Sequence, residues 1–117
     1  MRARVVIVDD HDGFRAVARA LLESDGFAVV GEAADGRRAV SVAARLRPAI
    51  VLLDVHLPDM DGFAVCRLLA ELPQPPAVVL ISSRPIADLR QRVQDSPVAG
   101  FLAKHELSGA ALAALAG

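Results

Sequence analysis

The chain has only one cysteine, Cys66, among its 117 residues. A single cysteine excludes an internal disulfide and fits the reducing cytoplasm, where we expect the protein to reside. No apolar stretch approaches the roughly 18 residues of a membrane span. Met1 and Arg2 lead almost directly into a short apolar run, which is unlike a signal peptide. The sequence therefore predicts no membrane partner, and it predicts a packed core thiol for Cys66, which lies within the apolar periodicity of a helix.

An excess of charge of either sign is also lacking. The net charge is -1, from 13 basic and 14 acidic residues. Such a balance offers no electrostatic basis for direct nucleic-acid binding. All the basic residues are arginine except Lys104. Because lysine is a compact charge and arginine a wide fork, the one lysine indicates a crowded site that needs a small cation. A chance position for this lysine is the alternative.

Short apolar runs rich in β-branched residues recur along the chain, and four of them stop at groups that can do chemistry. These runs are 5–8, followed by Asp9 and Asp10; 50–53, followed by Asp54; 78–81, followed by Ser82; and 101–103, followed by Lys104. Such runs are typical of strands buried on both faces of a parallel sheet. Ligands bind outside the carboxyl ends of such strands. We therefore expect three carboxylates, a hydroxyl and an ammonium at one edge of the sheet.

Helical patterns alternate with these strands. The first helix is expected to follow a cap at Asp10 or Asp12 and to carry the apolar residues Phe14, Val17, Ala18, Leu21 and Leu22. A strand at 27–33 and a helix from Asp35-Gly36 to Pro48 follow. The third helix is marked by Val65, Leu68, Leu69 and Leu72, the fourth by a thin stripe of Ile86, Leu89 and Val93, and the last is capped by Ser108. The alternation predicts an α/β fold of (βα)5 type, a doubly wound five-stranded parallel sheet with helices on both faces. The whole of residues 1–117 is predicted to form one domain.

The clustered carboxylates indicate a cation site. An aspartate such as Asp54 at a strand end is by itself often a cap, but beside Asp9 and Asp10 it adds repulsion that a cation relieves. Oxygen ligands suit Mg²⁺, whereas the histidines lack zinc-ligand spacing. Ser82 and Lys104 would each hold an oxygen of a phosphoryl group on a carboxylate. A Gly-rich phosphate loop and a Ser-His-Asp arrangement are both lacking, so neither nucleotide binding nor that type of nucleophilic catalysis is indicated.

With these residues in view, the chain resembles the receiver domain of two-component response regulators over its whole length. The resemblance rests on Val8-Asp9-Asp10, Leu53-Asp54, Leu57-Pro58, Met60-Asp61-Gly62, Ser82 and Phe101 with Lys104, all in order at the family's spacing. The stretch from Val29 to Gly36 is similar to the LuxR-type, NarL-like subclass. The resemblance implies the flavodoxin-like receiver fold.

It also implies a role for each site residue. Asp54 would accept the phosphoryl group, and Lys104 would pair with it. Mg²⁺ would be held by Asp10, Asp54 and the backbone carbonyl of His56, with Asp9 acting through water. Ser82 and Phe101 would form the switch, although a plain core aromatic is an equal reading of Phe101. His56 and Arg84 stand where the family tunes phosphoryl lifetime, while His11 and His105 are expected to be ordinary solvated loop residues.

The expected function is therefore a phosphorylation-switched signalling domain that receives a phosphoryl group from a sensor histidine kinase and is not an enzyme on other substrates. Its surface of helix four, strand five and helix five would then bind a partner or a second copy of the chain. The alternatives are an aspartyl-phosphate phosphatase or phosphotransferase, a phosphorylation-independent pseudo-receiver, and a receiver fragment of a LuxR-type DNA-binding regulator. The Met1 start and the lack of linker residues after the last helix slightly favour a stand-alone regulator.

Overall fold

In the computed structural model, which describes residues 2–116, five strands alternate with five helices. The strands are β1 (Arg4–Val8), β2 (Ala28–Ala33), β3 (Ile50–Asp54), β4 (Ala77–Ser82) and β5 (Gly100–Ala103), and the helices are α1 (Asp12–Ser24), α2 (Gly36–Leu46), α3 (Gly62–Ala70), α4 (Arg90–Gln94) and α5 (Gly109–Ala116). The strands form one sheet in the order β2-β1-β3-β4-β5, and every pairing is parallel. The predicted (βα)5 fold with a five-stranded doubly wound sheet is confirmed. Met1 and Gly117, at the ends of the predicted domain, lie outside the described residues.

Two apolar cores lie on opposite faces of the sheet, because successive residues of a strand point to opposite sides. On one face Val5 and Ile7 of β1 pack with Ala18 and Leu22 of α1 and with Leu112 of α5. The other face carries Val6, Val8, Val51, Leu53 and Leu80, which pack against α2 and α3. Burial on both faces explains why the strands are continuous apolar runs.

Four details of the helices differ from the sequence prediction. The third helix, α3, ends at Ala70, so Leu72 lies beyond it. The residue that caps α1 is His11, not Asp10 or Asp12, and its side chain makes no capping hydrogen bond. Val17 is 64% exposed and Leu68 41% exposed, so neither belongs to the buried face of its helix. Position within an apolar repeat does not decide burial for residues at the border of a helix stripe. Leu22, by contrast, is fully buried as expected.

The region of the fourth helix is shorter than a regular crossover helix. A 3-10 turn at Ile86–Asp88 precedes the five residues of α4. Leu89 is buried, whereas Ile86 is 40% exposed. The thin apolar stripe expected from the sequence is therefore found, and it anchors this segment mainly through Leu89 and the partly buried Val93.

Several local expectations are confirmed by specific contacts, and one strand boundary differs by a single residue. Asp35 caps α2 by accepting a hydrogen bond from the Arg38 N–H, and Ser108 Oγ accepts one from the Ala111 N–H at the start of α5. The second strand begins at Ala28 rather than at Phe27. Cys66 is fully buried, and burial raises the pKa of its thiol to about 12. Within residues 2–116, each helix is too short or too polar to cross a bilayer.

Candidate cation and phosphoryl site

The predicted acidic cluster forms where two neighbouring strands end. Asp9 directly follows β1, Asp54 is the last residue of β3, and these strands pair with Val8 beside Leu53. Asp9 is fully buried and Asp54 is 3% exposed, while Asp10 lies at the surface. The sheet order therefore places two buried carboxylates side by side with a third, exposed one at their rim.

The Lys104 ammonium joins the two buried carboxylates. It lies just after β5, and its Nζ is 2.7 Å from Asp9 Oδ2 and 3.3 Å from Asp54 Oδ2. It also lies 4.6 Å from the centre of the Phe14 ring. Burial by itself would lower the pKa of Lys104, but its contact with Asp9 and the charge of Asp54 outweigh burial and raise it. Lys104 is therefore held as a cation between the two aspartates.

The pKa of the Asp54 carboxyl group is subject to opposing effects. Burial raises its pKa, and the negative charge of Asp9 raises it further. The His56 N–H donates to Asp54 Oδ1 over 3.1 Å, and this hydrogen bond and the Lys104 cation act in the opposite direction. The net pKa is raised. The ionised form of Asp54 is thus less favourable here than in water, which is the condition that an added cation would relieve.

The buried carboxylates share a single ammonium. Asp9 Oδ2 is buried, and its partner among the described residues is the Lys104 ammonium at 2.7 Å. Asp9, Asp10, His11 and Asp54 each offer a ligand atom within 4.8 Å of the others. Three carboxylates beside one ammonium leave negative charge, which fits the divalent cation that the sequence predicts.

Ser82 and Phe101 lie near this edge of the sheet but not in the ion-pair network. Ser82 ends β4 and is fully buried. Its Oγ accepts a hydrogen bond from the Arg84 N–H over 3.0 Å, and within residues 2–116 no hydrogen bond joins it to Asp54. Phe101 is partly buried and packs against the core on the α2 and α3 side of the sheet. The side chains of His56 and Arg84 are exposed at the rim of the site.

The loop after β3 is held close to the site by a glycine. A Cβ on Gly62 would lie 2.5 Å from the Asp54 carbonyl oxygen and 2.8 Å from Val55 Cα. Asp61 caps α3 by accepting from the Ala64 N–H. Asp59 reaches across to the start of α2, where it accepts from the Gly36 N–H over 2.8 Å. The loop that carries His56 is therefore tied to the start of α2 at Asp59 and packed against the end of β3 at Gly62.

The sequence prediction missed the position of one imidazole. His11 was expected to be an ordinary solvated residue, and its side chain is indeed 70% exposed, but its Nδ1 lies 3.1 Å from Asp9 Oδ1 and 3.2 Å from Asp10 Oδ1. The His11 backbone N–H also donates to Asp9 Oδ1 over 2.8 Å. The signal available in the sequence was that His11 directly follows the two aspartates. Its direction became visible only with the start of α1 in place.

Comparison with known proteins agrees with this geometry. The response regulator receiver domain family matches residues 5–116. The chain is 36% identical over 106 residues to the virulence-factor transcription regulator BvgA of Bordetella pertussis, which covers 91% of this chain and 51% of that protein. The chain thus spans about half the length of this relative.

Solved structures show the same likeness. The receiver domain of the response regulator NarL from Mycobacterium tuberculosis has a TM-score of 0.84 at 37% identity, covering 99% of this chain and 98% of that one. A LuxR-family response regulator from Aurantimonas sp. has a TM-score of 0.88 at 29% identity, covering 100% and 87%. The chain belongs to the response regulator receiver domain family, the signalling module of two-component systems.

Proposed function

We propose that this receiver takes a phosphoryl group from a sensor histidine kinase onto Asp54. The observation that carries the proposal is the Lys104 ammonium, which lies within 3.3 Å of the Asp54 carboxylate and 2.7 Å of the buried Asp9. In the transfer, an oxygen of Asp54 forms a bond to phosphorus while the bond from phosphorus to the donor nitrogen breaks. Lys104 then neutralises part of the charge on the phosphoryl oxygens. Phosphoryl transfer depends mainly on this kind of positioning and charge stabilisation.

The cation of the site is proposed to be Mg²⁺, held by Asp10, Asp54 and the backbone carbonyl of His56, with Asp9 acting through water. When bound, Mg²⁺ would neutralise charge that develops on the phosphoryl oxygens. The site for the ion would lie between the buried carboxylates of Asp9 and Asp54, at the ends of neighbouring strands, and the exposed carboxylate of Asp10. The ligand atoms that Asp10 and Asp54 offer within 4.8 Å of each other support this assignment.

Treatment with a small phosphodonor and Mg²⁺, followed by intact-mass measurement, tests the acceptor. We expect one added phosphoryl group on the unaltered chain and none on Asp54→Asn. Asp88→Asn is the matched control, because it removes an equivalent carboxylate from the exposed 3-10 turn. A full adduct on Asp54→Asn would move the acceptor elsewhere. No adduct on the unaltered chain would favour a phosphorylation-independent pseudo-receiver.

The switch is proposed to run through Ser82 and Phe101. Before phosphorylation, Ser82 Oγ accepts from the Arg84 N–H, and on phosphorylation its hydroxyl would turn to a phosphoryl oxygen. Phe101 lies only partly buried on β5, and it would rotate inward when Ser82 moves. Because it lacks a hydroxyl, it can report the change by packing alone. The affected surface would be that of α4, β5 and α5.

The phosphorylated form is proposed to be long-lived because His56 and Arg84 shield the acceptor. Hydrolysis requires a water in line with the aspartyl phosphate, and the Arg84 guanidinium can bond a phosphoryl oxygen bidentately. Replacing both residues by alanine should speed loss of the phosphoryl group several-fold in a mass-based time course. His56 could instead steer water inward, so an unchanged or slower decay would contradict shielding.

The output is proposed to be contact with a protein partner or a second copy of the chain, without direct nucleic-acid binding by these residues, in the cytoplasm. The small side chains of α5 allow close approach of a protein partner. The net charge of -1 gives no electrostatic attraction to nucleic acid. A catalytic role on other substrates is not proposed: His56 stands two residues after Asp54, where an aspartyl-phosphate phosphatase generally needs a second aspartate as acid-base.

Light scattering with and without a phosphoryl mimic tests dimer formation. The chain spans about half the length of the transcription regulator BvgA. A receiver fragment of a LuxR-type DNA-binding regulator is therefore the second candidate. A DNA shift assay tests the proposed output, because salt-sensitive DNA binding by these residues alone would contradict it.

A further inference from the structure

The Arg15 side chain, which extends from α1, is largely enclosed although it is charged. It is 15% exposed, and its guanidinium makes three contacts at once. Nη1 donates to the backbone carbonyl of Asp9 over 2.5 Å, Nε donates to Glu32 Oε1 over 3.0 Å, and Nη2 donates to the Asp12 carboxylate. Because the donors of a guanidinium form a rigid planar fork, these contacts together fix its place. Arg15 therefore joins the end of β1 to β2 and to the start of α1.

The Asp9 carbonyl lies where the parallel ladder between β1 and β2 ends. The Asp9 N–H still donates to the carbonyl of Ala33, the last residue of β2, over 3.0 Å. Backbone carbonyls that are enclosed by protein need a donor, and the donor that the structure provides for the Asp9 carbonyl is the side chain of Arg15. The peptide that leads from Asp9 to Asp10 is thereby held by Arg15.

This peptide bears on the cation site because Asp10 follows it directly. Asp9 is fully buried, and its carboxylate lies 2.7 Å from the Lys104 ammonium. Asp10 lies at the surface, so the direction of its carboxylate depends more on the backbone that carries it. Turning the peptide between the two aspartates would turn the Asp10 side chain away from the site. A ligand that is held in place before the ion arrives loses less freedom on binding.

We propose that Arg15 is a positioning residue of the cation site: its guanidinium holds the peptide between Asp9 and Asp10 so that the Asp10 carboxylate faces the bound ion. The inference rests on the Mg²⁺ site proposed above and adds to it a residue that does not contact the ion. By charge alone a guanidinium is unfavourable beside a cation site, because like charges repel. Glu32 and Asp12 offset this repulsion, since each pairs with the same guanidinium.

Electrostatics and positioning predict opposite results for the loss of Arg15. Arg15→Met keeps an apolar stem and removes the charge. By charge alone, this variant should bind Mg²⁺ as tightly as the unaltered chain or more tightly. By positioning, it should bind Mg²⁺ about tenfold more weakly, at the lower end of the loss expected when a residue that orients a metal ligand is removed. Arg15→Lys keeps the charge but lacks the planar fork, so it should also bind Mg²⁺ more weakly.

Arg19→Met is the matched control. Arg19 lies one turn further along α1 and, like Arg15, pairs with Glu32, at 2.7 Å. Its Nη1 donates to the Val29 carbonyl of β2 rather than to Asp9. The variant thus removes an arginine from the same ion-pair network without touching the peptide that leads to the acidic pair. We expect it to bind Mg²⁺ as the unaltered chain does.

Titration of ¹⁵N-labelled chains with Mg²⁺, followed by nuclear magnetic resonance, measures the affinity and shows in the same spectra whether each variant is folded. Without metal, ¹⁵N relaxation should show a more mobile Asp10 amide in Arg15→Met than in the unaltered chain, because this amide belongs to the peptide that Arg15 holds. With a small phosphodonor, Arg15→Met should need about ten times more Mg²⁺ for half-maximal phosphorylation, while the rate at saturating Mg²⁺ should be unchanged.

The outcomes separate this inference from the proposed function. Equal or tighter Mg²⁺ binding by Arg15→Met, or an Asp10 amide as rigid as in the unaltered chain, would overturn the positioning role and leave the cation site in place. An equal loss of affinity in Arg19→Met would also overturn it, because the effect would then belong to the pairs with Glu32. If Arg15→Met does not fold, unchanged affinity in Arg15→Lys overturns the inference. A failure of the unaltered chain to bind Mg²⁺ would instead overturn the cation site itself.

Discussion

Replacing Lys104 by methionine is the perturbation whose consequence follows most directly from the structure. Methionine keeps the length and apolar stem of the side chain and removes its charge. The two buried carboxylates, Asp9 and Asp54, then lose the ammonium at 2.7 and 3.3 Å. In the absence of a divalent cation, no other cation contacts Asp54 among the described ion pairs. We therefore expect Lys104→Met to destabilise the fold in chelator.

The size of the effect can be bounded from the two distances. With an effective dielectric constant of about 20, unit charges at these separations attract by about 6 and 5 kcal/mol. Desolvation of the ammonium offsets most of that attraction. Removing one partner of a buried ion pair costs about 3–5 kcal/mol when the remaining charge is left unpaired. Lys104 is 18% exposed, so water screens part of the interaction and about 2–3 kcal/mol is expected.

Urea denaturation in chelator and in Mg²⁺ measures this effect. Mg²⁺ should stabilise Lys104→Met more than the unaltered chain, because the ion supplies the charge that the variant has lost. Adding Asp54→Asn to Lys104→Met should recover stability by removing one unpaired carboxylate. Arg90→Met, at an exposed position of α4, is the matched control. If Lys104→Met in chelator were as stable as the unaltered chain, the electrostatic account of the site would be refuted.

Three further predictions follow from burial and packing. Asp54→Asn should raise stability in chelator by about 1 kcal/mol at neutral pH. The pKa of Asp54 in the folded chain is raised above its ordinary value of 3.8. The unaltered chain should therefore gain stability as the pH falls from the folded pKa toward 3.8, and Asp54→Asn should lack this gain in urea titrations. Parallel pH profiles of the two chains would contradict this. Gly62→Ala should destabilise the fold by about 1–3 kcal/mol, because the new Cβ would lie 2.5 Å from the Asp54 carbonyl oxygen. Gly13→Ala is the control, because a Cβ there has nothing within 4 Å. Equal thermal midpoints for the two variants would contradict the prediction. Cys66, buried with a thiol pKa of about 12, should resist alkylation at pH 8 until the chain unfolds; rapid alkylation of the folded chain would disprove its packing.

The sheet and the carboxyl ends of its strands could be predicted from the sequence because both depend on local signals. Strands such as Ile50–Asp54 are buried on both faces, so they are continuous apolar runs that are visible without any knowledge of their neighbours. The polar residue that follows such a run must lie at the carboxyl end of a strand. For this reason Asp9, Asp54, Ser82 and Lys104 could be assigned to one edge of the sheet before their distances were known.

The pairings within the site depended on the tertiary structure. Strand order placed β3 and β4 between β1 and β5, and only then could Lys104 be seen to lie closer to Asp9 than to Asp54. The capping position of His11 at the start of α1 turned an apparently solvated imidazole toward two carboxylates. The need for Gly62 arose from the backbone of β3, which passes too close for a side chain. Each of these contacts joins groups whose relative direction is set by packing between elements, and a one-dimensional pattern carries no information about that direction.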